Sequence, residues 1–272
     1  KKNDIFIVYT SGTTNKPKGA ILTKNSVSSN IRAINFDLKL KKNDSSLIFS
    51  PPHYAMAYSQ ILTYMYKQLS FVFLNSGLKF PDLIIKNISK YNLNIINLSI
   101  SGFKVLFYRT SQNRILKNIR IVMAGGIPMT YEMLLNYKKK FPNAEIVNFY
   151  GCTENSPRIT HQHIKNPQKF KKTINHNVPV GKALKGVSIK IENKNNEFGK
   201  IFISGTSLMR GYLSKNKNLL TKIKKKWFET GDIGFFDRDK NLILMGRDDD
   251  TFRVGHEKLC PEEIEPIIKK KF

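Results

Sequence analysis

Four hydroxyl side chains, two glycines and two lysines fall in one stretch near the start of the chain, residues 9–20, which reads YTSGTTNKPKGA. Hydroxyls and glycine N–H groups donate hydrogen bonds to phosphate oxygens, and lysine supplies positive charge. The order Lys18-Gly19-Ala20 differs from the Gly-Lys-Ser/Thr ending of a Walker A loop. The stretch therefore predicts a polyphosphate-binding loop of another kind, and an ordinary surface turn is the alternative.

A second stretch with functional side chains is NFYGCTE, residues 148–154, at the end of a predicted strand. A tyrosine such as Tyr150 can stack on a purine, a threonine such as Thr153 can bind a phosphate oxygen, and Glu154 can ligate Mg²⁺. Taken alone, the stretch is more typical of a strand-to-loop turn. Its meaning depends on the other stretches in the chain.

Two further stretches carry charged side chains near glycines. WFETGDIGFFD contains Asp232, a carboxylate able to bind two ribose hydroxyls, and GRDDD contains Arg247 and Asp249. A guanidinium such as that of Arg247 can bridge ribose and phosphate. Together the four stretches predict a nucleotide site.

The elements that must position these residues alternate between strand and helix patterns, which predicts an α/β fold with a largely parallel sheet. The carboxyl ends of the strands then bring polar loops to one edge, where ligands bind in open α/β sheets. Strands are predicted at 5–9, 47–51, 70–74, 94–98, 119–124 and 145–149, and helices at 25–38, 58–67, 80–91, 102–108 and 130–140.

The pattern changes after about residue 177. Short β segments at 187–192, 199–204 and 242–245 are separated by turns. The sequence therefore predicts an α/β part over 1–177 and a smaller β-rich subdomain over 178–246.

The bulk composition excludes several classes of protein. The net charge of +26 comes from lysines scattered among asparagines, without a nucleic-acid-binding motif, so we expect solvated faces rather than nucleic-acid binding. Two cysteines without CxxC spacing indicate neither a disulfide framework nor a zinc site. No apolar run reaches the length of a membrane span and no signal peptide is apparent, so a cytoplasmic protein is expected.

His161 and His163 form an H-x-H pair. No Cys, Asp or third His stands at ligand spacing beside them, so a metal site is not the favoured interpretation.

The four stretches, in this order, resemble the adenylate-forming enzymes: acyl-CoA synthetases, adenylation domains of peptide synthetases and firefly-type luciferases. The resemblance implies a layered parallel-sheet adenylation core with a smaller β-rich subdomain. It also implies that residues 10–18 wrap the β- and γ-phosphates of ATP, which involves Thr10, Ser11, Gly12, Thr13, Thr14 and Lys18.

The resemblance gives the other candidate residues their roles. Gly125 and Gly126 would lie beside the adenine and the acyl group, and Asn148 belongs to the same nucleotide-binding set. The remaining roles are Tyr150 stacked on adenine, Thr153 at the α-phosphate, Glu154 on Mg²⁺, Asp232 and Arg247 on the ribose, and Asp249 as the hinge of a carboxyl-terminal domain beginning at 247–272.

The implied chemistry has two half-reactions. A carboxylate attacks the α-phosphorus of ATP, pyrophosphate leaves and an acyl-adenylate forms. The thiol of coenzyme A, or of a phosphopantetheine carrier protein, then displaces AMP.

The stretch SPPHYAMA bears on the class of the substrate acid. It resembles a family segment whose histidine, here His53, flanks the acyl pocket. Amino-acid-activating members usually carry an aspartate near this position, and this region has none. A fatty or aryl acid is therefore favoured. The alternatives are an amino-acid adenylation domain and a non-catalytic nucleotide-binding remnant.

The chain departs from the family in two respects. Asn15 stands where glycine is usual, although Asn tolerates positive φ. The chain also lacks a comparable amino-terminal portion and the tail that holds a catalytic lysine, so we expect the isolated segment to be a poor catalyst with exposed apolar surface.

Overall fold

The computed structural model describes residues 3–10, 17–75, 77–110, 114–171, 173, 177–192, 198–213, 220–222, 227–254, 257–259 and 261. The helices of this part are α1 (Lys24–Leu38), α2 (Ala55–Tyr66), α3 (Pro81–Lys90), α4 (Ile100–Tyr108) and α5 (Tyr131–Lys140). None of these described helices is long and apolar enough to cross a membrane.

The strands of the same part are β1 (Asp4–Thr10), β2 (Lys18–Thr23), β3 (Ser45–Ile48), β4 (Ser70–Phe73), β5 (Ile95–Asn97), β6 (Ile121–Gly125), β7 (Met129–Thr130), β8 (Glu145–Gly151), β9 (Arg158–Ile164), β10 (Asn177–Val178), β11 (Lys182–Ala183), β12 (Val187–Glu192), β13 (Gly199–Gly205), β14 (Gly211–Leu213), β15 (Leu220–Lys222), β16 (Phe228–Phe236), β17 (Leu242–Arg247), β18 (Phe252–Val254) and β19 (Glu257–Leu259).

The largest sheet has the strand order β11-β9-β8-β6-β5-β3-β4. Its strands β4, β3, β5, β6 and β8 run parallel, and β9 and β11 add antiparallel strands at one side. Crossover helices connect the parallel strands, as parallel pairing requires. The predicted α/β class with a parallel sheet is confirmed.

Neighbouring residues of β6 divide the core between the two faces of this sheet. Val122 and Ala124 pack in one cluster with α3, α4 and α5, whereas Ile121 and Met123 pack in another with α1 and α2. This division follows from the two-residue period of side chains along a strand. Every residue of β6 is buried, as expected of a strand that is covered on both faces.

A second sheet, with the antiparallel order β12-β13-β16-β17, forms the β-rich part. Ile201 and Ile203 of β13 are fully buried in the same cluster as Val147 and Phe149 of β8. The two sheets therefore share one core on the α1 and α2 side of the molecule. This shared core fixes the position of β16 and β17 relative to β8.

No strand is predicted between the strand at 5–9 and the helix at 25–38, but β2 lies there. β1 pairs antiparallel with β2, and both belong to a separate sheet with β14 and β15. Gly19 lies within β2 rather than at a turn, and a Cβ there would stand 2.9 Å from Cγ2 of Ile7 on the paired strand. Close packing of the hairpin thus accounts for this glycine.

A hydrogen-bonded cluster joins α1 to β8 and β9. One carboxylate oxygen of Asp37 bonds Nδ1 of His161 at 2.6 Å and Nε2 of His163 at 2.8 Å, while Nδ1 of His163 lies 3.3 Å from a Glu145 oxygen. The sequence has no Cys, Asp or third His at ligand spacing beside the H-x-H pair, and the structure brings Asp37 to it from the distant helix α1. Short charge-assisted hydrogen bonds account for the arrangement.

The two histidines of this cluster have opposite pKa shifts. Burial lowers the pKa of His161, which keeps that imidazole neutral. Hydrogen bonds that His163 donates to Asp37 and Glu145 raise its pKa to about 9. His163 is therefore an imidazolium between two carboxylates at neutral pH.

The cluster predicts a pH-dependent stability. The pKa of His163 in the folded protein lies above its usual value of 6.5. Its contribution to the free energy of unfolding is therefore complete below pH 6.5 and is lost as the pH rises through 9. Between pH 6 and pH 10, the unfolding free energy of the wild type should fall by about 1–2 kcal/mol more than that of His163→Gln. This expected difference is smaller than the full pKa shift implies, because solvent screens the half-buried side chain. Urea unfolding monitored by circular dichroism measures this difference.

The exposed His53 offers a matched control for this measurement. His53→Gln should shift the unfolding free energy by the same amount at both pH values. Parallel profiles for the wild type and His163→Gln would contradict the assignment of His163 as a stabilising imidazolium.

Candidate functional site

A cavity of about 650 Å³ opens at the carboxyl edge of the parallel strands. Segments after four of the five parallel strands, β3, β5, β6 and β8, supply part of its wall, because parallel strands bring their following loops to one edge. The wall contains Met56 after β3, Ser99 after β5, Gly126 after β6 and Thr153 after β8. β16 and β17 close the cavity from the second sheet with Asp232 and Arg247.

Three side chains form a hydrogen-bonded group across this cavity. The Tyr150 hydroxyl donates to Oδ2 of Asp232 at 2.5 Å, and Nη1 of Arg247 donates to Oδ1 at 2.9 Å. Tyr150 ends β8 in the main sheet, whereas Asp232 and Arg247 are paired residues of β16 and β17. A single carboxylate therefore links the two sheets at the site.

The backbone of β16 is shaped to admit the Arg247 side chain. Gly231 has a φ of +79°, and a Cβ there would stand 2.7 Å from Nη2 of Arg247. Arg247 also donates to the Thr230 carbonyl at 3.2 Å. Glycine at 231 thus lets the guanidinium lie along the strand beside Asp232.

Burial alters the acidity of this group. It raises the pKa of Asp232, although the hydrogen bond from Tyr150 and the charge of Arg247 act in the opposite direction. Burial, with the charge of Asp232, raises the pKa of Tyr150 well above its usual value. Tyr150 is therefore a neutral hydrogen-bond donor throughout the physiological pH range.

A second set of polar side chains lies beside the cavity. The Tyr212 hydroxyl donates to Oε1 of Glu154 at 2.6 Å, and Nζ of Lys18 lies 5.8 Å from the centre of the Tyr212 ring. Residues that stand far apart in the sequence, Lys18 and Glu154, thus flank one tyrosine. A hard cation such as Mg²⁺ binds carboxylate oxygens of the type that Glu154 carries.

The structure brings six of the predicted residues together at the cavity wall: Gly125, Gly126, Tyr150, Thr153, Asp232 and Arg247. Glu154 and Lys18 lie just beyond it. Thr10 pairs with Lys18 across the β1–β2 hairpin, its hydroxyl 3.5 Å from the Lys18 carbonyl. The loop residues Ser11, Gly12, Thr13 and Thr14 lie outside the described residues.

Three predicted residues lie away from the cavity wall. Asn148 is fully buried, and its amide donates to the carbonyls of Val178 and Pro179 at 3.2 and 2.9 Å. His53 is exposed in the turn before α2, whose first residues do line the cavity. Asp249 is exposed in the short turn that follows β17.

Sequence reasoning missed two residues at this edge, Tyr212 and Arg158. Tyr212 lies in a three-residue strand without a motif. Arg158 follows NFYGCTE by only a few positions, but one arginine in a turn carries no signal of its own. Burial raises the pKa of the nearby Cys152 thiol, which makes it a poor nucleophile.

Comparisons with known proteins place this geometry in a family. The family model described as AMP-binding enzyme matches residues 1–213. Acyl-CoA synthetase 7 of Caenorhabditis elegans is 26% identical over 98% of this chain and 51% of its own length. The chain spans about half the length of the relatives it matches.

Two solved structures have the same fold. O-succinylbenzoate coenzyme A synthetase (MenE) of Bacillus subtilis in complex with AMP has a TM-score of 0.81 at 24% identity, over 97% of this chain and 53% of MenE. MenE has also been solved in complex with ATP and magnesium ion. McyG A-PCP complexed with phenylalanyl-adenylate has a TM-score of 0.81 at 22% identity, over 99% of this chain and 51% of that one.

The family model covers residues 1–213, most of the chain, and these residues include the part of the cavity wall that runs from Ala55 to Arg158. The chain belongs to the AMP-binding enzyme family.

Proposed function

We propose that this chain carries the nucleotide and acid sites of a ligase that activates a carboxylic acid with ATP and transfers it to a thiol. The observation that carries the proposal is the group formed by Tyr150, Asp232 and Arg247 on the wall of the 650 Å³ cavity. A cavity of this size suits a nucleotide joined to a small acid.

The proposed nucleotide contacts follow from the chemistry of this group. Each Asp232 oxygen accepts one hydrogen bond within the protein and keeps a lone pair for a ribose hydroxyl. Arg247 adds positive charge on the same side. The Tyr150 ring, which is held by its hydroxyl, forms a flat surface for adenine.

The phosphates are proposed to lie towards Thr153, Glu154 and Lys18. The carboxylate of Glu154 would hold Mg²⁺, which supplies charge neutralisation and orients the phosphate oxygens when bound. Lys18 adds a second positive charge from the β1–β2 hairpin, while Thr153 donates its hydroxyl near the α-phosphate. These contacts favour loss of pyrophosphate because they stabilise the negative charge that develops on the leaving group.

The acid is proposed to enter between Met56, Ser99 and Gly126 and to attack the α-phosphorus, giving an acyl-adenylate and pyrophosphate. A fatty or aryl acid is favoured over an amino acid, because the segment around His53 lacks an aspartate to bind an α-amine. Coenzyme A is the favoured acceptor, in line with the acyl-CoA synthetase and MenE relatives, and a carrier protein is the alternative.

ATP–pyrophosphate exchange tests the proposal directly. The intact natural polypeptide that carries this sequence is incubated with Mg-ATP, labelled pyrophosphate and one acid at a time from fatty, aryl, dicarboxylic and amino acid sets. We expect exchange that depends on a non-amino acid. Exchange with amino acids alone would indicate an adenylation domain of the amino-acid type, and Mg-ATP binding without exchange would indicate a non-catalytic nucleotide-binding protein.

Glu154→Gln should lower the rate of pyrophosphate exchange by about tenfold or more, equivalent to about 1.4 kcal/mol, since the amide removes the charge proposed to hold Mg²⁺. The measurement is the exchange rate as a function of magnesium concentration. Lys18→Ala should have an effect of similar size, because it removes a charge that faces the leaving pyrophosphate.

Asp239→Asn is the matched control, since Asp239 is an exposed carboxylate in the turn between β16 and β17. It should leave the exchange rate and its magnesium dependence unchanged. Equal rates for the wild type and Glu154→Gln at every magnesium concentration would remove Glu154 from the proposed metal role.

A further inference from the structure

Arg158 is a buried cation in the wall of the cavity. It begins β9, is only 4% exposed, and lines both the main cavity and a small pocket behind it. Its guanidinium lies over the Phe149 ring, 3.6 Å from the ring centre. Burial lowers its pKa to about 10, which still leaves it charged at neutral pH.

The guanidinium has no carboxylate partner among the described residues. Among these residues, its hydrogen-bond acceptor is the amide oxygen of Asn97, which lies 2.9 Å from Nη2 of Arg158. In this orientation of the amide, the same oxygen also accepts a hydrogen bond from Gln60. The neighbouring phenols of Tyr64 and Tyr58 are neutral at physiological pH, because burial raises the pKa of each, so they carry no charge opposite to that of Arg158. A buried charge without an opposite charge is costly and calls for a compensating partner.

Other arginines of the described part do have such partners. Arg120 pairs with Asp44, Arg210 with Asp4, and Arg247 with Asp232. All three are more exposed than Arg158. The most deeply buried guanidinium of this set is thus the one that lacks a carboxylate.

The small pocket behind Arg158 has polar side chains among apolar ones such as Ile34 and Met123. Ser59, Gln60 and Thr63 of α2 line it together with Asn97. The Thr63 hydroxyl is buried, and among the described residues it has no hydrogen-bond partner. Its room of about 20 Å³ suits a single small polar group. This end of the cavity therefore offers several donors to an incoming acceptor.

The backbone holds Arg158 in place at this end. Its carbonyl accepts from the amides of Asn30 and Asn155, each at 2.7 Å, and its N–H donates to Asn30 at 3.2 Å. Asn30 and Asn155 are both buried. The position of the guanidinium is therefore set before a ligand enters.

We propose that the acid substrate carries a second anionic group, a carboxylate remote from the reacting carboxyl, and that Arg158 binds it from the wall of the main cavity. This inference rests on the proposed acid activation and narrows its substrate to a compact dicarboxylic acid, aliphatic or aryl. A plain fatty chain would place methylene groups against an unpaired guanidinium. An arginine fork matches a carboxylate by two parallel hydrogen bonds.

Matched acid pairs test this inference in the exchange assay with the intact natural polypeptide. Dicarboxylic acids from succinate to suberate, and aryl dicarboxylates, are compared with the monocarboxylic acid and the monomethyl ester of the same length. We expect at least one dicarboxylate to exceed both partners by about 100-fold or more in kcat/KM, because the neutral partners leave Arg158 unpaired.

Two substitutions of Arg158 make the test specific to this residue. Arg158→Leu should remove the preference for the dicarboxylate and raise relative activity with the monocarboxylate. Arg158→Lys should retain part of the preference, because it keeps the charge but loses the fork. Arg120→Lys, which alters an arginine paired with Asp44 away from the cavity wall, is the control and should keep the wild-type preference. If Arg158→Leu does not fold, the inference is still tested by the acid preference of the wild type and by that of Arg158→Lys.

The outcomes separate this inference from the proposed function. Exchange that prefers monocarboxylic acids, or a dicarboxylate preference that survives in Arg158→Leu, overturns the inference and leaves acid activation standing. Absence of exchange with every acid overturns acid activation. In that case adipate and terephthalate are titrated into the wild type and into Arg158→Lys, and binding is measured by calorimetry. Binding that the substitution weakens supports Arg158 as the carboxylate-binding residue. Absence of binding to the wild type overturns the inference.

Discussion

The hydrogen bond between Tyr150 and Asp232 is the interaction on which the site depends. Tyr150 ends a strand of the main sheet and Asp232 belongs to the second sheet, so their 2.5 Å contact sets the distance between the two walls of the cavity. Arg247 binds the other Asp232 oxygen and extends the connection to β17. The shared apolar core beneath the sheets supports this contact, because Ile201 packs with the same cluster as Phe149.

A buried charge needs a compensating partner, and two buried cations of this molecule differ in where that partner is found. The imidazolium of His163 lies between Asp37 and Glu145, so its charge is compensated within the protein and serves stability. Among the described residues, the guanidinium of Arg158 contacts an amide dipole and a ring face but no carboxylate, which is why we infer that a ligand supplies the opposite charge. The difference between a structural charge and a binding charge thus depends on whether a carboxylate lies within reach.

Apolar periodicity predicted most of the parallel sheet, because strands covered on both faces are continuous apolar runs such as β6. The same reasoning missed β9, which reads RITHQHI and carries polar residues at its centre. Two of those residues, His161 and His163, bond Asp37, whose position no local pattern reveals. The β1–β2 hairpin was also missed, since an apolar strand alone does not state whether its partner runs parallel or antiparallel.

The sequence by itself determined the α/β class, the order of the nucleotide-site stretches and the residue types suited to phosphate and ribose. These features are local, because each depends on a few consecutive residues. Only the tertiary structure decided which side chains converge: it brought Tyr212 to Glu154, placed Asn148 against carbonyls, and left Arg158 buried without a carboxylate. Such neighbours come from distant positions, and the order and register of the strands, rather than any local pattern, select them.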